Sequence, residues 1–203
     1  MLRTAIEFLC DELNAYLKRK DTTNFGNEDV AMISSLMNPD GTFAVVSDGG
    51  DISKIILTMV NLEEDRILDS QVSYRKVDDK YQVINPPINL NVFVVFSVYT
   101  NNYATALRLL SYVISFFQGN QVFDSGQYPH INAKVADDKP WQKVGRLLVN
   151  LHSTTFEQQN NLWAALGAKY MPSVIYKIRT MSFIDLEPKM EAPPITEVTI
   201  SDK

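Results

Sequence analysis

The stretch Leu90 to Tyr99, LNVFVVFSVY, is apolar at nearly every position. Side chains alternate between the two faces of a strand, so a strand with one wet face alternates in polarity. This one does not, and it therefore needs cover on both faces. Asn85-Pro86-Pro87 stands just before it. Two prolines exclude a helix there and set an extended entry. The chain must accordingly build a sheet and pack other elements on each side of it. With 203 residues, 45% hydrophobic and 10% aromatic, it has the material for one such domain.

Three helices are predicted. Leu2, Ile6, Leu9, Leu13 and Leu17 form one apolar stripe, widened by Phe8 and Tyr16. This helix runs from Leu2 to Lys20 and closes on Lys18-Arg19-Lys20, where cations suit a helix C-terminus. Tyr103 to Gln118 is a strongly apolar helix, with Asn101 or Asn102 as cap and Gly119-Asn120 as stop. Phe156 to Tyr170 is the third, capped by Ser153-Thr154-Thr155 and ended by Gly167 and Pro172.

Strands are predicted at Lys54 to Leu62, Leu90 to Tyr99, Val144 to His152 and Ser173 to Ile184. Short ones are expected near Val30 to Met37, Phe43 to Val46 and Ile131 to Val135. Ser70 to Ile84 reads as a loop or edge strand, and Asn38-Pro39-Asp40-Gly41 as a turn. The order defines a single α+β domain with a mixed, mostly antiparallel central sheet and packed helices. It spans residues 1 to 186. Residues 187 to 203 read as a proline-containing linker and a β-prone tail, ITEVTI.

Several classes of function find no support. The net charge is -5 and the pI about 5.0, so no basic field is available for nucleic acid. Mean hydropathy is -0.11, and no run reaches the roughly 20 apolar residues of a membrane span. Acidic residues interrupt every apolar run in the first twenty positions, so no signal peptide is expected and assembly is expected in the cytoplasm. The single cysteine, Cys10, lies in the first apolar stripe and reads as core. His130 and His152 lack partners at metal spacing. Phosphate-cradling glycine loops and the G-x-S-x-G elbow are absent. No cofactor is expected. Glu63-Glu64-Asp65 is the strongest carboxylate cluster, yet neighbouring strand residues face opposite ways and make a poor acid–base pair. A solvated strand end or a docking surface is the simpler reading; a small hydrolase using Glu63, Glu64 or Asp65 is the remote alternative.

The segment NLWAALGAKYMPSVIYKIRTM resembles the C-terminal signature of the tail terminator, or cap, family of phage-tail-like contractile injection systems. AIEFLCDELNAYLKRK, ILTMVNLEEDRIL and NPPINLNVFVVFSVYTNNYATALRLLSYVISFFQGNQVF match the same family in the same order. Together they cover most of residues 1 to 184. The resemblance implies a non-enzymatic structural protein that forms a homohexameric ring at the baseplate-distal end of the particle, where it stops tube and sheath growth. It implies sheath and inner-tube proteins as partners. The alternative is a soluble assembly factor that binds tube or sheath subunits and leaves. In such a protein Leu162, Trp163 and Leu166 pack on the sheet, and Trp163, Tyr170 and Tyr176 serve as core and interface aromatics. The polar excursion from Gln121 to Lys143 and the tail match no family motif. Partner docking is expected at Ile195, Val198 and Ile200 of the tail and at Glu63, Glu64 and Asp65.

Overall fold

The computed structural model describes residues 1–26, 28–44, 53–65, 73–77, 80–84, 88–183 and 190–192. The described residues hold four α-helices: α1 (Leu2–Lys20), the single-turn α2 (Thr22–Phe25), α3 (Tyr103–Gly119) and α4 (Phe156–Ala165). The strands are β1 (Ala31–Ile33), β2 (Lys54–Glu64), β3 (Ser73–Val77), β4 (Lys80–Ile84), β5 (Ile88–Tyr99), β6 (Val122–Asp124), β7 (Arg146–His152), β8 (Ser173–Phe183) and β9 (Met190–Ala192).

Six strands form the main sheet in the order β1-β2-β5-β8-β7-β6. Only β1 runs parallel to its neighbour; the other described pairings are antiparallel. The sheet is therefore mixed and mostly antiparallel, as its sequence indicates. The apolar run lies at its middle in β5, between β2 and β8. Val92, Val94, Phe96 and Val98 join the core beneath α1 and α3. Phe93 and Val95 point the other way and pack with Ile175 and Leu162. Both faces are covered, which is why polarity does not alternate along this strand.

The larger core lies on the first face, where Leu9, Leu13 and Leu17 of α1 meet Leu109, Val113 and Phe117 of α3. Phe117 stacks on Tyr176 at 4.4 Å between centroids and meets Phe96 edge to face at 5.2 Å. Asn14 ties α1 to β1. Its side-chain oxygen accepts from the Val30 and Ala31 amides at 3.0 and 2.7 Å, and its Nδ2 donates to the Ala31 carbonyl at 2.9 Å. A buried side chain thus supplies partners that the three-residue edge strand lacks.

Several elements differ from their sequence reading. Residues 131–135 form turns rather than a strand. There the Asn132 side chain exchanges two hydrogen bonds with Val144, donating to its carbonyl at 2.9 Å and accepting from its amide at 2.7 Å. One amide side chain does the work of a strand pairing. Met37 and Phe43 form only an isolated bridge, and Val45 and Val46 lie outside the described residues. Residues 73–77 and 80–84 form the antiparallel pair β3–β4, and Met190–Ala192, inside the segment read as linker, pairs with β4 as a third strand. Helix α4 stops at Ala165 rather than Tyr170, because Gly167 adopts φ +65 and turns the chain out of the helix.

Candidate functional site

The turn after α4 shapes one end of the sheet. Gly167 reverses the chain, Lys169-Tyr170-Met171-Pro172 crosses the strand ends, and the Pro172 carbonyl accepts from the Val98 amide at 2.9 Å. Opposite lies the 37–43 bridge, where Phe43 stacks on Tyr99 at 4.8 Å and 31°. Between these walls is a cleft of about 550 Å³, lined chiefly by Met37, Phe43, Tyr99, Tyr103, Tyr170 and Met171. Its walls are apolar and aromatic, with Lys169 on the rim. Tyr103 and Tyr170 remain 69% and 63% exposed at its mouth, so two large rings meet solvent where a partner can cover them.

Trp163 anchors the turn from below. It packs with Leu36 and Ile56, and Leu166 and Met171 flank that cluster. Leu162 packs instead with Phe93, Val95 and Ile175. The expected packing of Leu162, Trp163 and Leu166 on the sheet is thus present. Of the three aromatics expected in core or interface, Trp163 and Tyr176 are buried and Tyr170 is exposed.

The other end of α4 carries the opposite shape. Thr155 caps it with a reciprocal box: its hydroxyl accepts from the Gln158 amide at 3.2 Å, and the Gln158 side chain accepts from the Thr155 amide at 3.0 Å. The next residue, Phe156, is 92% exposed. The capped helix start fixes the backbone that bears this ring on the surface. Helix α3 adds an outward apolar line. Tyr103, Leu107 and Ile114 are exposed and Leu110 half-buried, spaced by four, three and four, while its inner face fills the core.

The carboxylate cluster ends β2. Glu63 and Glu64 are exposed and Asp65 half-buried. The Asp65 amide donates to the Asn89 carbonyl at 2.7 Å, and Asn61 Nδ2 donates to Glu63 Oε1 at 3.2 Å. β1 pairs only with Ile55–Leu57, so among the described strands only β5 lies beside Met59–Glu64. Met59 and Leu62 on this stretch are exposed. Tail residues Ile195, Val198 and Ile200 lie outside the described residues.

The ionisable groups take structural places. Burial pushes the Cys10 thiol up to about 12, with Asp11 and Asp29 adding to the effect, so it is a poor nucleophile at neutral pH. His130 contacts Glu12 at 2.6 Å and rests against Phe8. Lys134 pairs with Asp11. Both tie the excursion to α1. His152 meets Phe93 edge to face at the end of β7. No three His, Cys, Asp or Glu side chains converge among the described residues, and no described helix is long and apolar enough to cross a membrane.

This α+β arrangement is the fold of the terminators that cap contractile injection particles. One similar structure is the sheath/tube terminator of an extracellular contractile injection system, PVC, in its extended state. It matches with a TM-score of 0.59 at 14% identity, over 98% of this chain and 63% of that one. A second is the tube-terminating cap of the anti-feeding prophage, with a TM-score of 0.59 at 13% identity, over 96% of this chain and 60% of that one. The chain thus spans about three-fifths of the length of these structures. Residues 4–197 match the Pvc16 N-terminal domain, and the chain belongs to that family. No curated protein sequence matches it.

Proposed function

We propose that this chain is a tail terminator. It forms a hexameric ring at the baseplate-distal end of a contractile injection particle and ends tube and sheath polymerisation there. The observation that carries the reading is the shared fold across 98% of the chain with a sheath/tube terminator, joined to the family match over residues 4–197. The work is structural rather than catalytic. It is done by apolar surfaces such as the α3 line and the tyrosine-lined cleft, which suit protein partners. Assembly takes place in the cytoplasm, before the particle is released or attached to a membrane.

The tail takes part in docking. Ile195 to Ile200 is rich in β-branched residues, and a lone strand of that length needs a sheet to join. Glu63, Glu64 and, just beyond the end of β2, Asp65 form the docking surface proposed for it. Truncation after Ala192 is the suitable test, because β9 extends to that residue. The shortened chain should occupy particle ends poorly; occupancy equal to the full chain removes the docking role.

Deleting the gene tests the main reading. Particles of uncontrolled length, seen by electron microscopy, are expected. Uniform, normally capped particles would sink it. Mass analysis of purified particles separates a retained cap, present in stoichiometric amount, from an assembly factor that departs.

A further inference from the structure

We propose that the subunits of this ring join head to tail through Phe156, which enters the cleft of the next copy, with Glu157 beside it pairing with Lys169 on the cleft rim. The inference rests on the terminator reading and names the surfaces that close its ring.

The knob and the hole are both built features. Phe156 is the most exposed large apolar side chain among the described residues, at 92%, and the Thr155–Gln158 box fixes the helix start that bears it. The cleft has a volume of about 550 Å³. An aromatic ring needs on the order of 150 Å³, so Phe156 fits with room for its neighbours in the chain. The walls offer Phe43, Tyr99, Tyr103 and Tyr170 as edge-to-face partners.

One subunit cannot satisfy its own contact. Phe156 opens α4, and the cleft is formed by the turn that follows α4's other end. Ten helical residues hold the two roughly 15 Å apart. A surface knob that fits a cleft elsewhere on an identical molecule makes a heterologous contact, and such contacts generate rings when the rotation closes.

Charge agrees with this pairing. Glu157 and Lys169 are both exposed, and neither has an ion-pair partner among the described residues. Glu157 follows Phe156 directly, and Lys169 belongs to the cleft lining. Seating the ring therefore brings opposite charges together at the rim, which sets orientation.

Charge exchange at the rim tests the proposal. All variants lie on the exposed surface, and circular dichroism checks that they fold. Association is read in solution by sedimentation and, on purified particles, as occupancy of the particle end. Glu157→Lys and Lys169→Glu should each reduce association, and the double exchange should restore it to within a few-fold of wild type. Phe156→Ser should weaken it about thirtyfold, as expected of a central aromatic anchor. Rings and end occupancy that are indifferent to all four variants overturn this contact and leave the terminator reading standing. A wild-type chain that stays monomeric and never occupies particle ends overturns both. A wild-type assembly that stops at a dimer overturns the head-to-tail arrangement.

Discussion

Trp163 and Tyr170 meet edge to face, with ring centroids 5.6 Å apart at 70°, although Trp163 is 5% exposed and Tyr170 is 63% exposed. The pair links the core to the cleft mouth. A contact made at Tyr170 is therefore felt at a buried indole.

Tyr170→Ala should cost about 1 kcal/mol of stability, the usual worth of such a ring pair beyond its buried area. It should also shift the emission of Trp163. Trp141 is 53% exposed and supplies a separate signal, so the measurement belongs in a Trp141→Phe background. Unchanged emission in the Tyr170 variant would show that the two rings are not coupled in solution.

Asn14 is 6% exposed and holds two backbone amides and one carbonyl at the start of β1. Asn14→Leu leaves those groups buried without partners. Each orphaned group costs roughly 1–3 kcal/mol, so a loss of about 3 kcal/mol is expected in urea denaturation. A loss below about 1 kcal/mol would mean that water or a shift of β1 replaces the side chain.

Gly167 has a left-handed backbone at φ +65, and a Cβ added there meets nothing within 4 Å. The cost of Gly167→Ala is therefore conformational, about 1 kcal/mol. Gly167→Asn should cost less, since Asn tolerates this region better than Ala. Denaturant midpoints should follow the order Gly, Asn, Ala. Equal midpoints for Asn and Ala would assign the cost to something other than backbone strain.

Alkaline pH should weaken the fold through two buried groups. The Cys10 thiol moves from an ordinary 9.0 to about 12, and the Tyr176 hydroxyl from 10.0 to about 12, in both cases first through burial. The native state then holds protons that the unfolded chain has released. This contribution is fully present below about pH 9 and is lost as the pH rises toward 12. Cys10→Ala and Tyr176→Phe should each flatten that limb of the stability profile. Cys10 should also resist a thiol reagent at pH 8 until denaturant is added.

The parts of the fold carried by repeated apolar spacing were legible in the sequence. The α1 stripe and the unbroken run of β5 each involve many residues, and no single exception changes their meaning. Elements held by single side chains were not legible. Asn132 replaces a strand pairing at Val144 and is indistinguishable in sequence from any loop asparagine. The cleft also escaped the sequence reading, because Tyr103 and Tyr170 look like Tyr176 until the fold puts two outside and one inside. The α3 line was within reach: the spacing of Tyr103, Leu107, Leu110 and Ile114 marks a second apolar face on a helix already described as strongly apolar. Phe156 gave no such signal, since a single aromatic at a helix start reads equally well as core.

β8 begins beside the cleft and runs eleven residues to Phe183, hydrogen-bonded to β5 on one side and β7 on the other. A pull along its axis meets both ladders at once. To slide by one residue, the strand must break a row of bonds together, and it must also move every side chain to the wrong face. Peeling loads bonds one after another, whereas this geometry shares the load. Tension applied at one end of β8 is thus shared between two ladders before either gives way.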